Sequence, residues 1–175
     1  GDDRIAVFTA TVIAGALAAS TSNILFGWLS DRSVARGSGR RKWIAFGLTG
    51  LAISFALVVR ASTPFEIIVA IVAFQVAVNA MLAPMFAVMA DEVPDAQKGL
   101  SGGLIALGAP LASAVAAGIV AMGIDHEAGR LAFVFAAALL CILPLLLAPA
   151  HPAPIVPPAE EEARLIGRDL AIAWA

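Results

Sequence analysis

Residues 27–43 read GWLSDRSVARGSGRRKW, a short stretch crowded with basic side chains that lies between two long apolar runs. The flanking runs, 5–29 and 43–59, contain no charged side chain. Each is long enough to form a helix that satisfies its own backbone hydrogen bonds in lipid. The basic stretch has five cations against one acid, Asp31, and such loops stay on the cytoplasmic side. The sequence therefore predicts a membrane hairpin with a cytoplasmic turn.

The composition places the whole chain in a membrane. It is 61% hydrophobic and 14% charged, with a mean hydropathy of +0.93, whereas soluble domains carry about 25% charged residues. The net charge of −2 gives no reason to expect nucleic acid as a partner. Cys141 is the only cysteine, which excludes an intrachain disulfide and a cysteine metal cluster. We expect the lipid bilayer as the main partner, and neither a cofactor nor a metal.

Three further apolar runs are long enough to cross a bilayer. The predicted fold class is therefore all-α, a polytopic transmembrane helix bundle with spans at 5–29, 43–59, 67–90, 100–124 and 131–150. Assigning Lys and Arg to alternate sides puts eight on the side of the basic stretch and three on the other. This bias predicts an external N-terminus and a cytoplasmic C-terminus. The expected location is a bacterial plasma membrane.

Both ends of the chain suggest a piece of a larger protein. It starts at Gly1 without an initiator methionine, and residues 170–175 resemble the start of a further, truncated helix. Residues 151–169 are rich in proline and then in charge, which predicts an extended cytoplasmic linker. We therefore expect a missing C-terminal half as a partner of this one.

Small and polar residues recur every four positions in spans one, three and four, which places them on one face of each helix. The stripes are Thr11, Gly15, Ala19, Asn23, Gly27; Gln75, Asn79, Ala83, Ala87, Asp91; and Gly102, Ala106, Pro110, Ala114, Gly118. Such stripes are typical of close helix packing. The amides of Asn23, Gln75 and Asn79 also suit a polar pathway at membrane depth. Spans two and five lack comparable stripes and are predicted to face lipid.

Six residues of the basic stretch match a known pattern: Gly27, Asp31, Arg32, Gly39, Arg40 and Arg41. Together they resemble the signature loop between helices two and three of the major facilitator superfamily. Aligned in this way, the five spans become helices two to six and the proline-rich segment becomes the central linker. Asp91, Pro94 and Gly99 resemble the turn that follows helix four in many of these transporters.

The resemblance implies a secondary active transporter that moves a small solute by alternating access, and not an enzyme. It implies that Asp31 and Arg32 help to clamp the two halves while the outer gate is open. The spacing from Arg32 to Gly39 is nearest to that of glycoside and sucrose symporters, although one residue longer, which implies a sugar and a coupling cation. The third span lacks the arginine of many drug–proton antiporters. Symport, antiport and uniport all stay open.

Two other classes stay open on the residues alone. Asp31, Asp91, Glu92 and Asp95 share the predicted cytoplasmic face and could hold Mg²⁺ in a membrane phosphotransferase. A non-transporting membrane scaffold is the other alternative. For the loop itself, a purely topogenic role also stays open.

Overall fold

The computed structural model describes residues 2–149 of the 175-residue chain, with side chains from Arg4 onward. This part is entirely helical apart from its turns, with α1 Asp2–Ala35, α2 Arg41–Arg60, α3 Pro64–Glu92, α4 Asp95–Ala106, α5 Gly108–Ala121 and α6 Glu127–Leu147. Five stretches are long and apolar enough to cross a membrane, with α4 and α5 together forming one of them. The predicted all-α bundle is confirmed. The linker predicted at 151–169 and the helix start at 170–175 lie outside the described residues.

Helix α1 continues beyond the predicted span and takes in the first part of the basic stretch, so that Asp31 lies in its last helical turns. It ends at Ala35 and is followed by Gly37, whose φ of 72° is in the left-handed region. The amides of Gly37 and Ser38 donate back to the carbonyls of Val34 and Ser33, at 2.9 Å each. This is a Schellman ending, which favours glycine at the left-handed position. The connection between α1 and α2 is therefore only residues 36–40.

Helix α3 lies at the centre of the bundle and packs against both α1 and α2. Its closest approach to α2 is at Gly47, where a Cβ would lie 2.7 Å from Met81 N and 2.8 Å from Ala77 O. Leu48, Leu51 and their neighbours on this face of α2 are buried. The prediction that span two faces lipid is thus wrong for this face.

Helix α6 also packs against α2 and contributes to the same core as α3. The core consists of Ile44, Leu48, Met81, Val88 and Ile142. Ile142 is the one buried residue that the described structure gives α6, and Phe135, Ala138 and Leu139 are partly buried against the core. The prediction that span five faces lipid is therefore wrong for this face of α6.

The fourth span is interrupted at Leu107, between α4 and α5. Pro110 has no backbone N–H to donate to the carbonyl of Ala106, which explains the break. Within residues 2–149, α4 has no buried residue and a Cβ at Gly102 or Gly118 would meet nothing within 4 Å. The predicted interior face of this span is therefore not filled by the described helices.

Candidate functional site

Three helices meet at the guanidinium of Arg40, which precedes the first residue of α2. It donates from Nε to Asp91 Oδ2 at 2.8 Å and from Nη1 to Ser30 Oγ at 3.0 Å. Nη1 also donates to Asp31 Oδ1. Because Ser30 and Asp31 belong to α1 and Asp91 to α3, one side chain connects α1 and α3 to the start of α2.

Arg40, Asp31 and Asp91 form an ion cluster whose charges compensate one another. Asp91 lies in the last turn of α3, where a carboxylate opposes the negative end of the helix dipole. Arg40 offsets that repulsion at short range, and only 12% of its side chain is exposed. Burial lowers the pKa of Arg40, but the hydrogen bonds and charges of Asp31 and Asp91 outweigh it and raise the pKa above its ordinary value. Arg40 therefore stays cationic at every accessible pH.

Arg41 extends the cluster to the end of α6. Its Nη2 lies 3.5 Å from Glu92 Oε2 and donates to the carbonyl of Pro149 at 3.0 Å. Its Nε is buried and has no hydrogen-bond partner within residues 2–149. The last turn of α3 and the end of α6 are thus joined through the first residue of α2.

The remaining residues of the signature-loop pattern, Gly27, Arg32 and Gly39, do not join this cluster. Arg32 places its guanidinium over the Trp28 ring, 5.2 Å from the centroid. Gly39 has a φ of 65°, which a turn residue with a side chain adopts only at a cost. Gly27 was expected to permit close backbone approach, but a Cβ there would meet nothing within 4 Å in the described structure. That expectation is wrong for this part of the chain.

Of the residues that resemble the turn after helix four, one joins the ion cluster and two do not. Asp91 belongs to the ion cluster, whereas Pro94 marks the start of α4 and a Cβ at Gly99 would face open space among the described residues. Asp95 pairs with Lys98 at 2.6 Å. No group of three His, Cys, Asp or Glu side chains that could hold a metal occurs in the described residues. The four acids considered for Mg²⁺ are therefore not gathered into one site there.

Sequence reasoning missed a second contact that fixes the start of α2. The indole Nε1 of Trp43 donates to Ser33 Oγ at 2.7 Å, and Ser33 Oγ donates to Leu29 O at 2.8 Å. The Trp43 ring also packs edge-on against Phe26, with centroids 5.7 Å apart. In the sequence, this contact is visible only as a serine ten residues before a tryptophan, across a short turn. The same tryptophan could equally be an interfacial anchor, so the sequence alone does not reveal the contact.

The three amides predicted to line a pathway do come together, between α1 and α3. Asn23 Nδ2 donates to Asn79 Oδ1 at 3.1 Å, and Asn79 Nδ2 donates to the Gln75 carbonyl at 2.8 Å. The side chain of Gln75 lies beside Gly15, where a Cβ would be 3.7 Å from its Nε2. Within residues 2–149 no hydrogen bond occupies the side-chain amide of Gln75. This amide cluster thus presents unused donors and acceptors.

A sequence model of the Major Facilitator Superfamily matches residues 5–174, almost the whole chain. The chain belongs to the major facilitator superfamily. No curated protein and no solved structure matches it significantly. This protein is therefore an integral membrane transporter, and its five apolar spans imply a lipid bilayer around it. Members of the major facilitator superfamily are transporters rather than enzymes, which disfavours the phosphotransferase reading of its acids.

Proposed function

We propose that this protein is a secondary transporter that moves a small, neutral, polar solute by alternating access. The observation that carries the proposal is the bridge from Arg40 to Asp31 and Asp91, which ties α1, α2 and α3 at one end of the bundle. A transporter that opens to one side at a time needs such a contact at one end, made in one state and released in another. The predicted orientation puts this end in the cytoplasm.

Of the two carboxylates bound to Arg40, Asp31 is the one better suited to separate from it when the conformation changes. Its side chain is 67% exposed, whereas that of Asp91 is 32% exposed. A charged hydrogen bond is worth about 1.5–3 kcal/mol, which shifts a two-state equilibrium about ten- to a hundredfold. In this proposal Asp91 anchors Arg40 to α3, and the Asp31 pair latches one conformation. Gly39 and Arg41 shape the turn, and Arg32 lies beside it on α1.

The amide cluster supports a neutral solute. Asn23, Gln75 and Asn79 offer donors and acceptors without charge, on two spans whose membrane-depth positions carry no ionised side chain. Hydroxyl groups of a sugar match such a surface, and sugars are the first class to test. A second helical bundle, facing the amides, would complete the site, since transporter sites of this kind lie between two repeats.

The latch is tested with Asp31→Asn in proteoliposomes, at matched expression and with a proton or sodium gradient imposed in turn. We expect uptake to fall at least tenfold while membrane insertion is unchanged, because insertion depends on the apolar spans and the Lys/Arg bias. Asp95→Asn is the matched control, since Asp95 is exposed to solvent on α4 and, within residues 2–149, pairs with Lys98 alone. Wild-type uptake by Asp31→Asn would mean that the loop is only topogenic.

The solute class is tested separately, by the thermal stability of the purified protein in the presence of a panel of sugars. A sugar that binds should raise the melting temperature in proportion to the logarithm of its concentration. Gln75→Ala should weaken that shift, whereas Ser113→Ala, which removes an exposed hydroxyl on α5, should not. A shift that survives Gln75→Ala would exclude the amide cluster as the binding site.

A further inference from the structure

The five cations of the loop separate into two sets. Arg40 and Arg41 are largely buried and paired with carboxylates. Within residues 2–149, no carboxylate lies within ion-pair distance of the other three, which are all exposed: Arg32, Arg36 and Lys42. The first set holds helices together, and the second presents positive charge outward around the α1–α2 turn.

The outward face of α1 changes character along its length. Ile24 is 75% exposed, Trp28 follows four residues later at 54% exposed, and Arg32 follows after four more. Residues four apart lie on one face of a helix, so apolar, aromatic and cationic side chains succeed one another along a single line. The Arg32 guanidinium stacks on the Trp28 ring, and Lys42 Nζ lies 5.9 Å from the centroid of the Trp43 ring. The order of apolar, aromatic and cationic side chains along α1 matches the passage from acyl chains through the interface to headgroups.

We propose that this face of α1, together with the α1–α2 turn, binds the headgroup of an anionic phospholipid through Arg32, Arg36 and, at the start of α2, Lys42. Ile24 and Arg32 are eight residues apart, about 12 Å along the helix axis. A phosphate at Arg32 therefore leaves the acyl chain beside Ile24, with Trp28 at the glycerol level. The apolar continuation of the face favours a lipid over a soluble anion. Because Arg40 and Arg41 are already neutralised, the lipid site and the ion cluster do not compete for the same cations.

The test measures the selectivity of Trp28 for its neighbouring lipids. The protein carries Trp43→Phe and Trp174→Phe, so that Trp28 is the only tryptophan of this chain. It is reconstituted in phosphatidylcholine vesicles with phosphatidylglycerol or phosphatidylcholine that carries a spin label near the top of one acyl chain. We expect the association constant of labelled phosphatidylglycerol, measured from its quenching of Trp28, to be at least about fivefold higher than that of labelled phosphatidylcholine. Each Lys or Arg near an anionic surface contributes about that factor. High salt should reduce the preference.

Replacing Arg32, Arg36 and Lys42 by Gln should remove most of the preference while leaving the melting temperature within a few degrees. The matched control removes three cations from the other end of the bundle, with Arg4, Arg60 and Arg130 each replaced by Gln. This control should keep the preference for phosphatidylglycerol. Equal quenching by the two lipids in the parent protein would overturn the proposal. Absence of quenching by either lipid would show that protein covers this face. Loss of the preference on adding inorganic phosphate, but not on adding sodium chloride to the same ionic strength, would assign the cations to a soluble anion instead.

Discussion

The tightest helix contact in the bundle gives the sharpest prediction, the substitution Gly47→Ala. A Cβ at this position would lie 2.7 Å from Met81 N and 2.8 Å from Ala77 O, both atoms of the α3 backbone. Ordinary contact begins at 3.4 Å, so α2 and α3 must separate locally by about 0.7 Å (3.4 minus 2.7). Neither backbone atom can rotate out of the way, and the strain therefore reaches the whole interface.

The separation has a cost that can be estimated. A gap of about 0.5–1 Å forfeits a quarter to a half of each dispersion contact across it, and overpacked cores lose about 1–3 kcal/mol. At about 2 kcal/mol, the melting temperature should fall by about 4–8 °C. The same change in an open helix position works in the opposite direction, because alanine is about 1 kcal/mol better than glycine in a helix interior.

The assay is a thermal melt of purified protein in one detergent, with three variants side by side. Gly47→Ala should melt lowest. Gly50→Ala, whose Cβ would be 3.0 Å from Ala77 Cβ, should lie between it and the parent protein. Gly102→Ala, with nothing within 4 Å among the described residues, should match or exceed the parent. A Gly47→Ala protein as stable as the parent would refute the close approach of α2 to α3.

Three further predictions concern topology, packing and capping. A cysteine at Ser38, in a Cys141→Ser background, should react with an impermeant maleimide only after the cells are permeabilised, and labelling of intact cells would reverse the proposed orientation. Leu51→Trp should destabilise the protein by about 1–3 kcal/mol because Leu51 is buried, whereas the exposed Leu140 should accept tryptophan; equal melting temperatures would contradict this. Thr63→Ala removes a capping box at the start of α3 and should cost about 0.5–2 kcal/mol, measured as a lower melting temperature.

The sequence was sufficient for the number and order of the spans, because apolar length and Lys/Arg spacing are local properties. It also placed Asp31, Arg40 and Arg41 in one short loop motif. It did not identify Asp91 as the second partner of Arg40, since these residues are 51 positions apart and only the packing of α3 brings them together. The similarity of Asp91 to a separate turn motif concealed this pairing.

Packing faces were predicted less well than spans. Spans two and five are both predicted to face lipid, yet Leu51 of span two is buried and Leu139 of span five packs on the core. A stripe of small residues indicates where helices approach, but a helix without one can still be enclosed by its neighbours. Gly47 and Gly50 lie on such a helix, and two glycines three residues apart gave no four-residue repeat.

The two carboxylates on Arg40 differ in when the ribosome supplies them. Asp31 is made nine residues before Arg40 and is present as soon as the hairpin of α1 and α2 forms. Asp91 is made 51 residues after it, roughly 3–10 seconds later at 5–20 residues per second. Asp31 can thus neutralise Arg40 during translation, before α3 has entered the membrane, and Asp91 then joins the pair as the third helix docks.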